Sequence, residues 1–431
     1  MCPPAYHLKL QTCNGFPFTG SEALTIPGPM LRHYFNLPRA VHILCLGTFI
    51  NRAGTFLIPF LTLYLTSQLH LGERFATRTM GLYGAGAIVA AIIGGQIADR
   101  FGRRTVMLIS LFGGAVLMML FSTLHQTAAI IVNVAALGIV GELYRPGASA
   151  MIGDLVSPAI RPHAFGLMYV SINLGFAIGP AIGGVLAVKY SFGWLFRADA
   201  LTSAAYGVIV LLALRETLHL AMAERRTGDT GESRVSFTEA AAHILRDRPF
   251  LTLCAGNLLF AFTFMQSMST FPLYLAEQGI STKTYGRLIA LNGIMIVALQ
   301  LPVTHWMARY ERGLVIVVSA LITGFGIGLT AFASSVWQYA ATIIIWTFGE
   351  IMQASCLFAI AADLAPPKMR GRYMGVFGMS YSLAMTLGVP LGGEVLARFG
   401  GNFVWGGAFG CGCLSALLYL SVRSHIRTRH H

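Results

Sequence analysis

A short charged turn, Asp99-Arg100-Phe101-Gly102-Arg103-Arg104, separates two apolar runs at 80–97 and 105–121. Each run approaches the ~20 residues that a helix rising about 1.5 Å per residue needs to cross a bilayer. The turn is too short to hold a domain. The flanking segments must therefore be antiparallel neighbours joined by a tight basic hairpin at one membrane surface. Gly102 suits that hairpin because glycine takes positive φ at no steric cost. Gly95 removes a side chain where another helix can approach closely.

The same balance of charge and apolarity holds along the whole chain. Of its 431 residues 55% are hydrophobic and 11% charged, against about 25% charged in a soluble domain. A polytopic membrane protein follows. The net charge of +13 would suit nucleic acid if it formed one face or arm, but the basic residues lie between apolar segments, so no nucleic-acid partner is expected. The cysteines (Cys2, Cys13, Cys45, Cys254, Cys356, Cys411, Cys413) show neither metal spacing nor a disulfide framework, and small apolar packing explains them. There is no phosphate loop, metal cluster or nucleophile–base arrangement, so neither an enzyme nor a cofactor is expected.

Residues 1–38 are mixed and lack the basic-then-apolar layout of a signal peptide. They read as a disordered cytoplasmic tail, with Met30 as a plausible true start. Apolar runs recur at 40–66, 77–98, 105–123, 128–155, 165–187 and 194–214. A polar linker at 215–248 interrupts them, and six more follow at 250–276, 284–307, 313–333, 336–364, 371–396 and 402–422. The domains expected are an N-terminal half, 39–214, a cytoplasmic linker, a C-terminal half, 249–422, and a cytoplasmic tail, 423–431. Alternate connections hold most of the Lys and Arg, among them Arg100, Arg103, Arg104, Arg225, Arg226, Arg309 and Arg312. The other side holds Arg74, Arg78, Lys189, Lys283, Arg287 and Arg398. The positive-inside rule then puts both termini in the cytoplasm.

The chain also repeats. The run Asp154-Leu155 through Arg161 returns as Asp363-Leu364 through Arg370, Gly183-Gly184 as Gly392-Gly393, and Leu63-Tyr64-Leu65 as Leu273-Tyr274-Leu275, at an offset of 209 or 210. Two six-helix halves of one design follow. The charged turn has only a degraded counterpart at 302–313, without the Asp or the central Gly.

The stretch from Gly95 to Met107, G-x-I-A-D-R-x-G-R-R-x-x-M, resembles the signature between the second and third helices of the major facilitator superfamily. It departs only at Ile97 and Met107, where leucine is usual. In the fifth span Gly166, Gly175, Gly179, Pro180, Gly183 and Gly184 match the spacing that marks the antiporter branches, especially drug:proton antiporters. On the residues alone, these glycines flatten a helix face for close packing and Pro180 removes a backbone donor. The resemblance covers roughly residues 36–425. It implies an all-α membrane protein of twelve transmembrane helices in two pseudo-symmetric six-helix bundles, working by alternating access. It also implies conformational roles for Gly95, Asp99, Arg100, Gly102, Arg103 and Arg104, with Asp99 holding the halves together at the cytoplasmic side.

Ionisable residues inside the spans are few: Arg52 beside Asn51 in the first, Glu142 and Arg145 in the fourth, Glu350 in the tenth. Glu142 and Arg145, three apart, share a helix face. Arg197 and Asp199, toward one end of the sixth, read as an interfacial pair. A charge at mid-bilayer costs about 3 kcal/mol or more, so such groups face a wet cavity or each other. By resemblance, helices one, four, seven and ten line that cavity. The expected substrate-binding residues are Asn51, Arg52, Asn257, Gln266 and Gln353, and the expected proton-coupling residues are Glu350, Glu142 and Arg145. Drug antiporters often carry Arg-x-x-x-Gly in the fourth helix, whereas here the order is Glu142-x-x-Arg145-Pro146-Gly147. Glu350 leads because no cation lies within one helical turn of it, and desolvation disfavours its charged form.

The resulting expectation is a monomeric secondary transporter in the plasma (bacterial inner) membrane, with protons, membrane lipid and a small-molecule substrate as partners. Proton-driven export of a lipophilic or cationic compound is the leading reading. Uptake or facilitated passage of a polar metabolite, with Arg52 and Arg145 on a substrate anion, is the first alternative. A lipid translocase or non-transporting sensor is the second.

Overall fold

The computed structural model describes residues 36–157, 160–219, 237–366 and 369–428. The N-terminal tail with Met30, most of the linker, and residues 429–431 lie outside the described residues. Among the described residues twelve helices are long and apolar enough to span a membrane. The first six are α1 (Arg39–Gln68), α2 (Glu73–Phe101), α3 (Arg103–Phe121), α4 (Thr127–Leu155), α5 (His163–Lys189) and α6 (Phe192–Ala213). The second six are α7 (Arg248–Glu277), α8 (Thr282–Met307), α9 (Arg312–Phe332), α10 (Val336–Leu364), α11 (Gly371–Phe399) and α12 (Gly401–Ile426).

They form two six-helix bundles with the same internal pairing. In the first, α2 packs on α4, α3 on α6 and α1 on α5; in the second, α8 packs on α10, α9 on α12 and α7 on α11. The sequence repeat reappears as chemistry. Arg103 Nε lies 2.9 Å from Asp154 Oδ2, and Arg312 Nη1 lies 3.1 Å from Asp363 Oδ2, each partner displaced by 209 positions. The degraded copy of the charged turn thus keeps its working arginine.

Three helices change course where proline removes a donor. Pro59 cannot bond the Thr55 carbonyl, and α1 breaks between Ala53 and Leu57. Pro146 cannot bond Glu142, and α4 breaks at Leu143. Ahead of Pro390, α11 loosens into a π-helical stretch at Ala384–Gly388. By contrast, α5 runs unbroken through Pro180.

Phe56, Phe60, Tyr64 and Phe196 of the first bundle and Phe271, Tyr285 and Trp405 of the second belong to one continuous apolar core. This core lies toward the end of the molecule that carries Glu394. Toward the opposite end, which carries Gly102, the bundles have separate cores, one around Met107 and Tyr206 and one around Tyr373 and Tyr419. Bonds between the bundles sit on the shared side. Thr62 donates to the Ser269 carbonyl (3.2 Å), and Arg74 and Arg78 each lie 3.4 Å from Glu394. At Gly286 an added methyl would strike the Pro180 carbonyl, and at Gly393 the Thr77 side chain. At the Gly102 end, Gly95 of α2 and Gly371, Gly375 and Gly378 of α11 meet nothing within 4 Å. The bundles are closed at the Glu394 end and parted at the Gly102 end.

Candidate functional site: the space between the bundles

The charged turn behaves as its sequence requires. Gly102 has φ +102°, and an added methyl there would also overlap the Glu216 carboxylate. Glu216, at the far end of α6, accepts from the backbone N–H of Arg103 (2.9 Å) and Arg104 (3.1 Å). It thereby caps the first turn of α3, whose N–H groups have no intrahelical partner. Arg103 is 3% exposed and pairs with Asp99 (2.9 Å) as well as Asp154. Arg104 donates to the Val210 and Leu211 carbonyls that end α6. Arg100 is exposed and covers the Phe101 ring. The expected close approach at Gly95 is absent in this conformation; its neighbour Gly94 meets Pro146 instead. Gly95 points toward the parted side, where no helix lies against it.

The fifth-helix glycines divide into two faces. Methyls at Gly175, Gly179 and Gly183 would crowd Arg52, Ala53, Phe56 and Phe60 of α1, whereas one at Gly184 would crowd Thr282 and Lys283 of α8 in the other bundle. Gly166 is half-buried.

Two carboxylates stand in related settings at mid-helix. On α4, Glu142 accepts from the Tyr83 hydroxyl (2.9 Å) and pairs with Arg145 (2.7 Å), whose side chain is 63% exposed. On α10, Glu350 accepts from Asn292 Nδ2 (2.8 Å), which also donates to Thr347 Oγ1 (3.0 Å). Asn292 lies 209 positions after Tyr83, and Glu350 lies 208 after Glu142. Each carboxylate is therefore held by the corresponding helix of its own bundle. The difference is the cation: Glu142 has Arg145, while among the described residues no basic group lies within ion-pair distance of Glu350. Tyr169 on α5, across the gap, and Tyr381 on α11 lie near half-buried Glu350.

Asn51 and Arg52 sit at the end of the first segment of α1. Asn51 donates to Ser203 Oγ (2.9 Å), and Arg52 Nε is buried without a partner. Both line a small cavity inside the first bundle with Tyr83, Glu142, Tyr144 and Asp199. Three expected binding residues do not reach the inter-bundle space in this structure. Asn257 is fully buried with neither amide atom bonded. Gln266 donates to the Gly388 carbonyl of the π-helical stretch (3.0 Å). Gln353 lies between Ser319 (3.0 Å) and Tyr419 (3.3 Å) inside the second bundle. Gln353 is three residues after Glu350, and the rotation of about 60° left by three steps of a 3.6-residue helix turns it inward. Arg197 and Asp199 do not pair either. Arg197 stacks on Trp194 and donates to Ser122, while Asp199 turns to the break in α1. Sequence reading also missed Glu216, Tyr83, Asn292, Tyr169 and Tyr381. For Asn292 the 209-residue offset from Tyr83 was an available signal; the others had none.

The sequence pattern of the Major Facilitator Superfamily matches residues 44–389, and again 253–429. The chain belongs to that superfamily. Its relatives and structural neighbours are transporters, so the protein is an integral, multi-pass membrane transporter and not an enzyme. It is 28% identical to a Na(+), Li(+), K(+)/H(+) antiporter of Planococcus maritimus, over 86% of this chain and 92% of that one. It is 24% identical to the multidrug resistance protein MdtH of Yersinia enterocolitica, over 82% and 85%. The POT family transporter PepTSo shares the fold with a TM-score of 0.74 at 16% identity, over 91% of this chain and 99% of that one. A D-xylose–proton symporter does so at 0.72 and 14%, over 88% and 96%.

Proposed function

We propose that this superfamily member is a proton-coupled exporter of lipophilic or cationic small molecules, with Glu350 as the coupling group. The observation that carries the reading is the setting of Glu350. It is a carboxylate at mid-membrane depth, beside the gap between the bundles, held by one amide and, among the described residues, free of an ion pair. Such a group can hold either a proton or a cationic substrate, but not both. Tyr169 and Tyr381 add aromatic faces that attract organic cations. The naming of relatives as an antiporter and a multidrug resistance protein agrees with exchange and with that substrate range. Glu142, neutralised by Arg145, is assigned a supporting part. Asn51 and Arg52 are assigned to substrate contact, as are Asn257, Gln266 and Gln353 only in a conformation that frees them.

With basic connections inside, the Gly102 end is cytoplasmic, the termini are inside, the membrane is the bacterial inner membrane, and this conformation is inward-open. The limits 39–214 and 249–422 for the halves, 215–248 for the linker and a monomeric state belong to the same proposal. Asp99, paired here within its own bundle, is assigned the contact that joins the halves when this end closes. In proteoliposomes the parent should move a lipophilic cation such as a quaternary ammonium dye against its gradient when a pH gradient is imposed. Glu350→Gln, a mimic of the protonated acid, should lose this while retaining substrate exchange. Undiminished accumulation by Glu350→Gln would sink the reading.

The exposed guanidinium of Arg145 favours one second reading, capture of an anionic metabolite. In that case Arg145→Gln abolishes counterflow of the anion while Glu350→Gln leaves it intact.

A further inference from the structure

The break in α1 leaves the backbone N–H groups of Phe56 and Leu57 without helical partners. Asp199 of α6 supplies them: its Oδ2 accepts from Phe56 at 3.1 Å and from Leu57 at 3.4 Å. The side chain is only 3% exposed. Among the described residues no basic group lies within ion-pair distance, although the Arg52 charge is near enough to act on it. It borders the cavity inside the first bundle, whose volume of about 70 Å³ is room for several waters. Water there can exchange a proton with this carboxylate, whose charged form is the stronger acceptor for the two N–H donors.

What this carboxylate holds is the segment of α1 that closes the Glu394 end. Beyond the break, Thr62 donates to the Ser269 carbonyl of α7, and Phe60 meets Tyr285 of α8 edge to face at 5.8 Å. Before the break lie Asn51 and Arg52. The clasp thus joins the cavity-facing part of α1 to the part that seals against the other bundle. We propose that Asp199 is a second proton-responsive group, a positioning residue whose charged form clasps the outer segment of α1 and whose neutral form releases it. Other ionisable groups lining the cavity are Arg52 on α1, Tyr83 on α2, and Glu142 and Tyr144 on α4; Arg145 pairs with Glu142 outside it. On α3, Arg103 and Arg104 lie at the far end; on α5, Tyr169 faces the gap; on α6, Tyr206 bonds Tyr144. None of them touches the Phe56 and Leu57 donors.

The inference rests on alternating access in the reading above, but its test needs no substrate and no gradient. In a cysteine-free background, Ser269→Cys places a thiol under the clasped segment, where Ser269 is fully buried. A membrane-impermeant maleimide then reports opening of the Glu394 end. Asp199→Asn keeps an acceptor but no charge, and charge-assisted bonds are about twice as strong as neutral ones. The labelling rate of Asp199→Asn relative to the parent should be roughly tenfold at about pH 8 and fall toward one at about pH 5. Other groups that titrate over this range affect both proteins alike and cancel in the ratio. A ratio that is flat with pH overturns the proposal. Should Asp199→Asn fail to insert, the parent alone decides by hydrogen exchange corrected for intrinsic rates. Protection of residues 56–63 should drop on acidification while that of 40–50 does not, and unchanged protection at 56–63 overturns the proposal. Undiminished accumulation by Glu350→Gln together with a pH-dependent labelling ratio would retain Asp199 and discard only the coupling role of Glu350.

Discussion

Gly102 carries two demands that a single residue type can meet. Its backbone, at φ +102° and ψ 152°, lies where non-glycine residues cost about 1–3 kcal/mol. Its missing side chain lets the Glu216 carboxylate reach two backbone donors. Gly102→Val should therefore destabilise the protein by several kcal/mol, since displacing Glu216 leaves buried N–H groups unpaired at about 1–3 kcal/mol each. Thermal unfolding in detergent checks this, and a melting temperature equal to that of the parent would remove the account. The glycine was legible in the sequence because a charged turn between two spans has few other solutions. Glu216 was not, because nothing in a linear pattern says which acid at a helix end will turn back. The same ambiguity applies to Asn257, Gln266 and Gln353, which serve neighbouring elements or lie buried in this conformation. A polar residue in a membrane span either faces water or serves a neighbouring helix, and composition does not distinguish these. Gln266 serves the Gly388 carbonyl and bonds Thr270 through its Oε1 (3.0 Å). Gln266→Leu is expected to lower stability by about 1–3 kcal/mol, and an unchanged KM in that variant would remove Gln266 from the proposed substrate contacts.

At the scale of the helix, prolines decide where straight segments end and glycines decide which faces meet. Pro59 and Pro146 break α1 and α4 beside Arg52, Glu142 and Arg145, so the polar groups of the first bundle gather where backbone order is interrupted. Helix α5 is the opposite case, continuous and smooth on two sides. A methyl at Gly179 would stand 3.2 Å from the Arg52 carbonyl within the bundle, and one at Gly184 would stand 2.9 Å from the Thr282 carbonyl across it. The spacing of the glycines was readable, but their division between α1 and α8 was not, because both faces share one interval pattern. The two faces predict different phenotypes. Gly179→Leu should overpack α1 in every conformation, costing about 1–3 kcal/mol and appearing as lower yield and stability. Gly184→Leu should overpack only the state in which α5 and α8 are together, so the protein stays stable while labelling at the Glu394 end rises. Identical behaviour of the two variants would contradict this division.

The whole molecule was legible as a count and a symmetry. Twelve apolar runs and an offset of 209 foretold twelve helices in two matching bundles, because span length and repeat are fixed by bilayer thickness and chain order. Which end stands open was not, since the same sequence must encode both states with nearly equal free energy. The balance rests on contacts that only tertiary structure brings together. Arg74 and Arg78 of the first bundle meet Glu394 of the second, which also pairs with Arg398 of its own helix at 2.5 Å. Beside them Glu73 of the first bundle and Glu277 of the second lie near enough to act on each other electrostatically. Exposed pairs contribute up to about 1 kcal/mol each, so losing both links to Glu394 should raise the population open at this end by up to roughly 30-fold, a tenfold change being about 1.4 kcal/mol. Glu394→Arg goes further, because it sets four guanidinium groups together. The protein should then label rapidly at the Ser269→Cys reporter and transport poorly, arrested with the Glu394 end open. If Glu394→Arg labels no faster than the parent, the apolar core shared by the bundles, and not these charges, holds this end closed.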